Sequence, residues 1–132
     1  MPAREQPPIP EDLRRFVLTG IPSVPFLEAL LLLRGDPDGT WLAADVARRL
    51  YVRERDAQAL LERLCHAGMA RRCGDDGKAI CYDPATPALA DLIDRLAELY
   101  ARQLVQVTTL IHSTLDRKAQ QFANAFTLRK DS

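Results

Sequence analysis

Proline and glycine are spread unevenly along this 132-residue chain, and that constrains its fold most. The nine prolines stand at 2, 7, 8, 10, 22, 25, 37, 84 and 87, and the six glycines at 20, 35, 39, 68, 74 and 77. After Pro87 neither occurs in the remaining 45 residues. These two residues interrupt regular structure most strongly, so the stretch beyond Pro87 predicts a long helical region. The proline-rich residues 1–10 predict an irregular arm. In between, the punctuation spaces out short elements.

Pro10 with Glu11 and Asp12 opens a helix over Glu11–Thr19, which Gly20 ends. Pro25 opens a second helix, Phe26–Arg34. Its run of leucines at 27 and 30–33 is too continuous for a surface helix, so it is expected to be central. Asp36-Pro37-Asp38-Gly39 is a turn. Thr40-Trp41-Leu42 suits a short strand. Ala43–Leu50 and Glu54–Ala67 predict two more helices, the second closed by Gly68. Met69–Cys73 and Ala79–Tyr82 are strand-like, and Gly74-Asp75-Asp76-Gly77-Lys78 between them carries a hairpin signal. Asp83–Pro87 is a linker, with Thr86-Pro87 as cap and first-turn pair. The expected fold is mainly α, with a small β-hairpin. The expected domains are 1–10 as arm, 11–83 as the hairpin-bearing unit and 87–127 as a C-terminal helical arm.

Hydrophobic residues make up 47% of the chain and charged residues 27%, a globular rather than a disordered composition. Lys and Arg number 18, as do Asp and Glu, which excludes a strongly basic clamp on nucleic acid but not a locally basic surface. Three cysteines are too few for a disulfide-stapled secreted scaffold. No apolar run approaches the ~20 residues of a membrane span. Residues 1–8 contain no apolar secretory core. The expected location is cytoplasmic.

Two short helices, a tight turn between them and a following hairpin give the element order of a winged helix. Asp45-Val46-Ala47-Arg48-Arg49-Leu50-Tyr51-Val52 resembles the second helix and turn of a bacterial helix-turn-helix. Ala57, Leu60, Leu61 and Leu64 share one helical face. Leu64-Cys65-His66-Ala67-Gly68-Met69-Ala70-Arg71-Arg72 resembles the exit from a recognition helix into a wing. Over residues 40–83, and in its order of leading and trailing helices, the chain is similar to winged helix-turn-helix transcription regulators of the multiple-antibiotic-resistance regulator (MarR) family. The resemblance implies a helix-turn-helix over 43–67 and a wing over 69–83. It further implies a homodimeric, prokaryotic regulator whose helix 54–67 enters the major groove of double-stranded DNA. Wing residues 71–80 would lie on the flanking backbone.

Helical geometry places Arg55, Gln58, Ala59, Glu62 and His66 opposite the Ala57/Leu61/Leu64 face. In a recognition helix Arg55 and Gln58 would be base-edge readers, since Arg pairs bidentately with guanine and Gln with adenine. Arg53 and Arg63 would meet phosphates, and Arg71, Arg72 and Lys78 the flanking backbone or minor groove. Four residues depart from the family pattern. Tyr51 stands where the turn usually has glycine, and Arg53 where the helix usually opens on Ser or Thr. Glu54 and Asp56 suit the helix dipole but oppose phosphates. Residues 40–83 hold eight Lys and Arg against seven Asp and Glu, an excess of one positive charge. An adaptor that binds another protein and never touches DNA is therefore an open alternative.

From Ala88 to Leu115 apolar residues recur at three-and-four spacing, including Leu92, Leu96, Leu99, Leu104, Val107 and Ile111. A helix from Pro87 to Leu115 would be about 43 Å long. It would overhang a domain whose radius of gyration is about 14 Å. Its stripe, with Phe122 and Phe126 of a last helix, is expected to form a homodimer interface. The alternative is that it folds back on Leu13, Phe16, Val17 and the leucine-rich helix, and both can hold, with half the stripe going to each.

Chemistry-bearing motifs are sparse. Cys65, His66, Cys73 and Cys81 lack zinc-ligand spacing. Cys73 and Cys81 would face one another across a hairpin centred on Gly77 and sense oxidation there, or serve as small packing residues. His112 has no catalytic partners in sequence. There is no phosphate loop, metalloprotease motif or nucleophile elbow. No catalytic residue, metal or other cofactor is expected. A small-molecule effector remains open, since Trp41 suits either a core position or a pocket wall.

Overall fold

A computed structural model describes residues 7–113 together with 120, 121 and 123. The chain is mainly helical, with one two-stranded antiparallel sheet. In order, the elements are α1 (Glu11–Gly20), α2 (Val24–Arg34), α3 (Ala43–Leu50), α4 (Glu54–His66), β1 (Ala70–Cys73), β2 (Ala79–Tyr82) and α5 (Pro87–Arg102). Residues 104–113 form a further helix, α6.

Local chemistry fixes most of these boundaries. α2 starts two residues earlier than Pro25 suggests, because the Ser23 Oγ accepts the Phe26 N–H at 3.2 Å and Pro25 fits within the first turn. α5 uses the same device, with the Thr86 Oγ1 accepting the Leu89 N–H at 3.1 Å ahead of Pro87. The Asp45 carboxylate accepts the Leu42 N–H at 3.1 Å and steadies the start of α3. α3 ends in the doubly hydrogen-bonded turn usually closed by glycine: Tyr51 and Val52 both donate their N–H to the Ala47 carbonyl. Here the left-handed position is Tyr51, at φ 57° and ψ 43°. Gly68, at φ 75°, turns the chain from α4 into β1.

The leucine-rich helix is central, as its composition predicts. Phe26, Leu27, Ala29, Leu30 and Leu33 of α2 are buried. Around them gather Leu13 and Val17 of α1, Val46 of α3, and Ala57, Leu61 and Leu64 of α4. Met69 and Ile80 close this core from the hairpin. The hairpin is also tied in from its outer side. Trp41 and Ile80 exchange both backbone hydrogen bonds at 2.9 Å, so the predicted strand at Thr40–Leu42 is present as a single antiparallel bridge. At the base, Asp83 N–H donates to the Met69 carbonyl at 3.1 Å and Ala85 N–H to Gly68 at 2.7 Å.

The trailing helix differs from expectation. The predicted continuous helix over Pro87–Leu115 is broken at Gln103, whose φ of −131° and ψ of 52° are not helical. The break returns α6 to the molecule. Ile93, Leu96 and Leu99 of α5 and Val107 and Ile111 of α6 belong to the same buried cluster as α1 and α2. Of the expected dimer-interface residues, Leu96, Leu99, Val107 and Ile111 are therefore spent on the chain's own core, and Leu92 packs against it half-buried. The fold-back alternative holds for these positions, because burial within one chain removes them from a second. Leu104 stays 53% exposed. Phe122 and Phe126 lie outside the described residues.

Polar pairs rim the contact of α5 with α1 and α2. Arg95 grips both carboxylate oxygens of Asp12, at 2.6 and 3.0 Å, and Arg34 donates to Asp94 at 2.9 Å. Among the described residues no single helix is long and apolar enough to cross a membrane.

Candidate functional site

The surface built by α3, α4 and the hairpin brings together most of the residues singled out from sequence. α4 buries Ala57, Leu61 and Leu64, so its opposite face is held outward. Arg55, Ala59, Glu62 and His66 are exposed as helical spacing predicts, Gln58 is half-buried, and Arg53 and Arg63 are exposed as well. The side chains of Arg53, Arg55 and Arg63 form no ion pair among the described residues. Gln58 is engaged: its Nε2 donates to the Glu62 Oε1 at 3.1 Å. Its amide is thus held along the helix by a neighbouring carboxylate.

A groove of about 400 Å³ separates the start of α4 from the hairpin. It is lined by Leu42, Ala43 and Ala44 at the start of α3, Glu54 and Gln58 of α4, and Arg72 and Lys78 of the hairpin. The starts of α3 and α4 border this region, the first capped by the Asp45 carboxylate, and Arg72 and Lys78 line it from the hairpin. Glu54 is the single acidic wall. The two cations outnumber this carboxylate by one, so the groove is mildly electropositive, with Glu54 opposing an anion locally.

The hairpin positions its cations differently. Arg71 is bound at the base, its Nε 3.2 Å from the Asp83 carboxylate. Arg72, one residue on, points to the other face of the strand, and its guanidinium reaches the Gly77 carbonyl at 3.4 Å. The Lys78 backbone N–H donates to the Asp76 carboxylate at 3.0 Å, leaving the ammonium outside that bond. Of the three hairpin cations, Arg72 and Lys78 line the groove and Arg71 does not.

Cys73 and Cys81 are joined by a disulfide with their Cα atoms 6.0 Å apart. The register pairs Cys73 with Ala79 and Arg71 with Cys81, so the cysteines are diagonal neighbours rather than directly opposite. The hairpin turns one residue earlier than a centre at Gly77 implies. Cys65 is free and half-buried, and its burial pushes the thiol above its ordinary range. Trp41 is buried, with the Arg49 guanidinium 5.7 Å from its ring centroid. Its placement at the hairpin base fits the core position expected of it.

Sequence reasoning missed two parts of this surface. One is the contribution of Leu42, Ala43 and Ala44 to the groove wall, which carries no chemical signature. The other is Tyr51, which stands 94% exposed between Arg49 and Arg53 in the turn joining α3 to α4. The departure from glycine at this position was its signal. Among the described residues, no group of three or more His, Cys, Asp or Glu is arranged to hold a metal ion. No protein-family model matches the chain, and no curated protein matches it.

Proposed function

We propose that this chain is a winged-helix, DNA-binding transcription regulator of the MarR-like kind, in which α4 enters the major groove and the hairpin is the wing. The observation that carries the reading is the groove itself. The recognition-helix residue Gln58 and the hairpin cations Arg72 and Lys78 line one mildly electropositive channel at the starts of α3 and α4. The Trp41–Ile80 bridge supports it by tying the hairpin into the segment before α3. Arg55 is the base reader in this reading, exposed in the first turn of α4. Arg53 and Arg63 flank it as phosphate contacts, with Arg72 and Lys78 on the backbone beyond. Self-association, which would pair two recognition helices on a pseudo-palindrome, falls to the exposed Leu104 and Val105 of α6, 53% and 72% accessible.

The test is binding to a random-sequence duplex at two salt concentrations, followed by operator selection. Binding that weakens steeply with salt supports phosphate contact. Arg55→Ala is expected to weaken specific binding by about 1–3 kcal/mol and relax specificity at one position. No binding at low salt overturns the reading. A monomer mass by light scattering at tens of micromolar removes the homodimer.

The second reading, a winged-helix adaptor for another protein, is favoured by one observation. The exposed face of α4 also carries Glu54, Asp56 and Glu62, and Glu62 occupies the Gln58 amide. On that reading the charges of α4 form a mixed protein-binding face, and Arg55→Ala leaves nucleic-acid binding at its baseline of zero.

A further inference from the structure

The break between α5 and α6 leaves a polar side chain inside the protein without a use. Gln103 is 8% exposed, and its Oε1 is buried with no hydrogen-bond partner among the described residues. Buried polar atoms are nearly always paired, so this oxygen calls for a donor. Gln103 lines a cleft of about 420 Å³ between the proline-rich arm, α1 and α5. That volume lies within the range of small-molecule sites. Pro7, Pro8 and Pro10 form the arm's side of the cleft, and the buried Leu13 and Leu99 add apolar surface. None of these side chains can complete the Gln103 amide. Proline has no N–H, so three of the four residues at 7–10 offer no donor at all. The leucine side chains carry no polar atom. The cations of the cleft are already engaged. Arg95 holds both carboxylate oxygens of Asp12, and the Arg102 guanidinium lies 3.6 Å from the Glu98 Oε1. With each positive charge beside a carboxylate, the cleft exerts little net pull on an ion.

We propose that this cleft is a binding site for a neutral, mainly apolar ring compound carrying one N–H or O–H group, which donates to the Gln103 Oε1. The prolines, Leu13 and Leu99 cover the ring by burial, and Gln103 selects for the donor. Proline fixes its own φ, so the arm is a stiff wall and the cleft is preformed. A preformed cleft suits a rigid, compact ligand over a flexible one, which loses more conformational freedom on binding. No residue of α3, α4 or the hairpin lines the cleft. The site is therefore separate from the candidate nucleic-acid surface and does not rest on that reading.

Indole is the probe, and 1-methylindole is the same ring system without its N–H. In nitrogen-resolved NMR spectra of the full chain, indole is expected to shift the amides of Leu13, Leu99 and Gln103 saturably. The amides of residues 54–58 in α4 are expected to stay in place. 1-Methylindole is expected to bind roughly five- to tenfold more weakly, the worth of one hydrogen bond. Gln103→Met is expected to bind the two compounds alike. The comparison of the two compounds on the parent protein stands whether or not that variant folds. Absence of saturable shifts with indole overturns the site, and so does equal affinity of the parent for both compounds. A preference for indole that survives in Gln103→Met assigns it to the size of the methyl group and overturns the role of Gln103. Shifts at the same amides that follow protein concentration instead of indole would show that a second copy covers the cleft, and would overturn the site as well.

Discussion

Tyr51 is the residue at which the local backbone most plainly opposes the side chain. It closes α3 in the left-handed region at φ 57° and ψ 43°, the position that a doubly bonded helix end reserves for glycine. A left-handed conformation costs an L-residue with a Cβ roughly 1–2 kcal/mol. At 94% exposure the ring returns almost no burial to offset this. Tyr51→Gly removes the penalty and adds about 0.4–1 kcal/mol of unfolded-state entropy to be overcome. The difference is a stabilisation of about 0.5–1 kcal/mol, a rise of about 2–4 °C in melting midpoint for a domain of this size. Tyr51→Ala keeps the Cβ and the penalty, so it is expected to stay within about 0.5 kcal/mol of the parent. Urea unfolding at one temperature, with equal m-values required across the three proteins, measures all of this. A glycine variant that is less stable than the parent would show that the tyrosine ring holds this turn through packing, and the strain argument would be wrong.

Three further outcomes are expected. The Arg95 guanidinium holds the Asp12 carboxyl below its ordinary value of 3.8, chiefly by hydrogen bonding. A carboxylate with a depressed folded-state pKa stabilises above its unfolded pKa and loses that contribution as pH falls through the folded one. The parent should therefore out-melt Asp12→Asn near neutral pH, with the gap closing below about pH 4; a gap that persists into strong acid refutes the ion-pair account. Leu61→Ala, at a site 1% exposed between α4 and the central helix, should cost about 2–5 kcal/mol by urea unfolding, and a loss under 1 kcal/mol would mean α4 is not seated on this core. Gln103→Met removes a buried amide oxygen that has no hydrogen-bond partner among the described residues. It should be neutral or stabilising by about 1–3 kcal/mol, whereas a marked loss of stability would show that the amide itself holds the break.

The elements up to Tyr82 were legible because each is announced by a local signal. Gly35, Gly68 and the Asp-Gly turn mark ends, and the Ala57/Leu61/Leu64 spacing identifies the buried face of α4. The outward residues follow by geometry alone, so Arg55, Ala59, Glu62 and His66 are found exposed where the wheel puts them. What periodicity does not report is pairing between distant segments. The Trp41–Ile80 bridge, the groove wall at Leu42–Ala44 and the diagonal register of Cys73 and Cys81 all depend on how the hairpin docks. Two cysteines eight residues apart are compatible with packing or with a bond, and the register decides between them.

The break at Gln103 is the one place where a strong sequence signal led the wrong way, and it bears on assembly. An apolar stripe at three-and-four spacing states only that one face of a helix is to be buried. It does not state whether the covering surface belongs to the same chain. Leu89 through Leu99 and Val107 through Ile111 satisfy one heptad-like pattern, yet a straight helix would carry the second half past α1 and leave it wet. Breaking at a residue with neither proline nor glycine nearby leaves the buried amide oxygen of Gln103 without a partner among the described residues. In return, Val107 and Ile111 enter the core completely. Two fully buried aliphatic side chains contribute about 3–6 kcal/mol, against about 1–3 kcal/mol for one unsatisfied polar group, so folding back wins. Among the described residues of α5 and α6, the large apolar side chains left exposed are Leu104 and Val105. That remnant is far smaller than the four-heptad stripe the sequence advertises, which makes the mass in solution, rather than the helix pattern, the quantity that decides whether this chain self-associates.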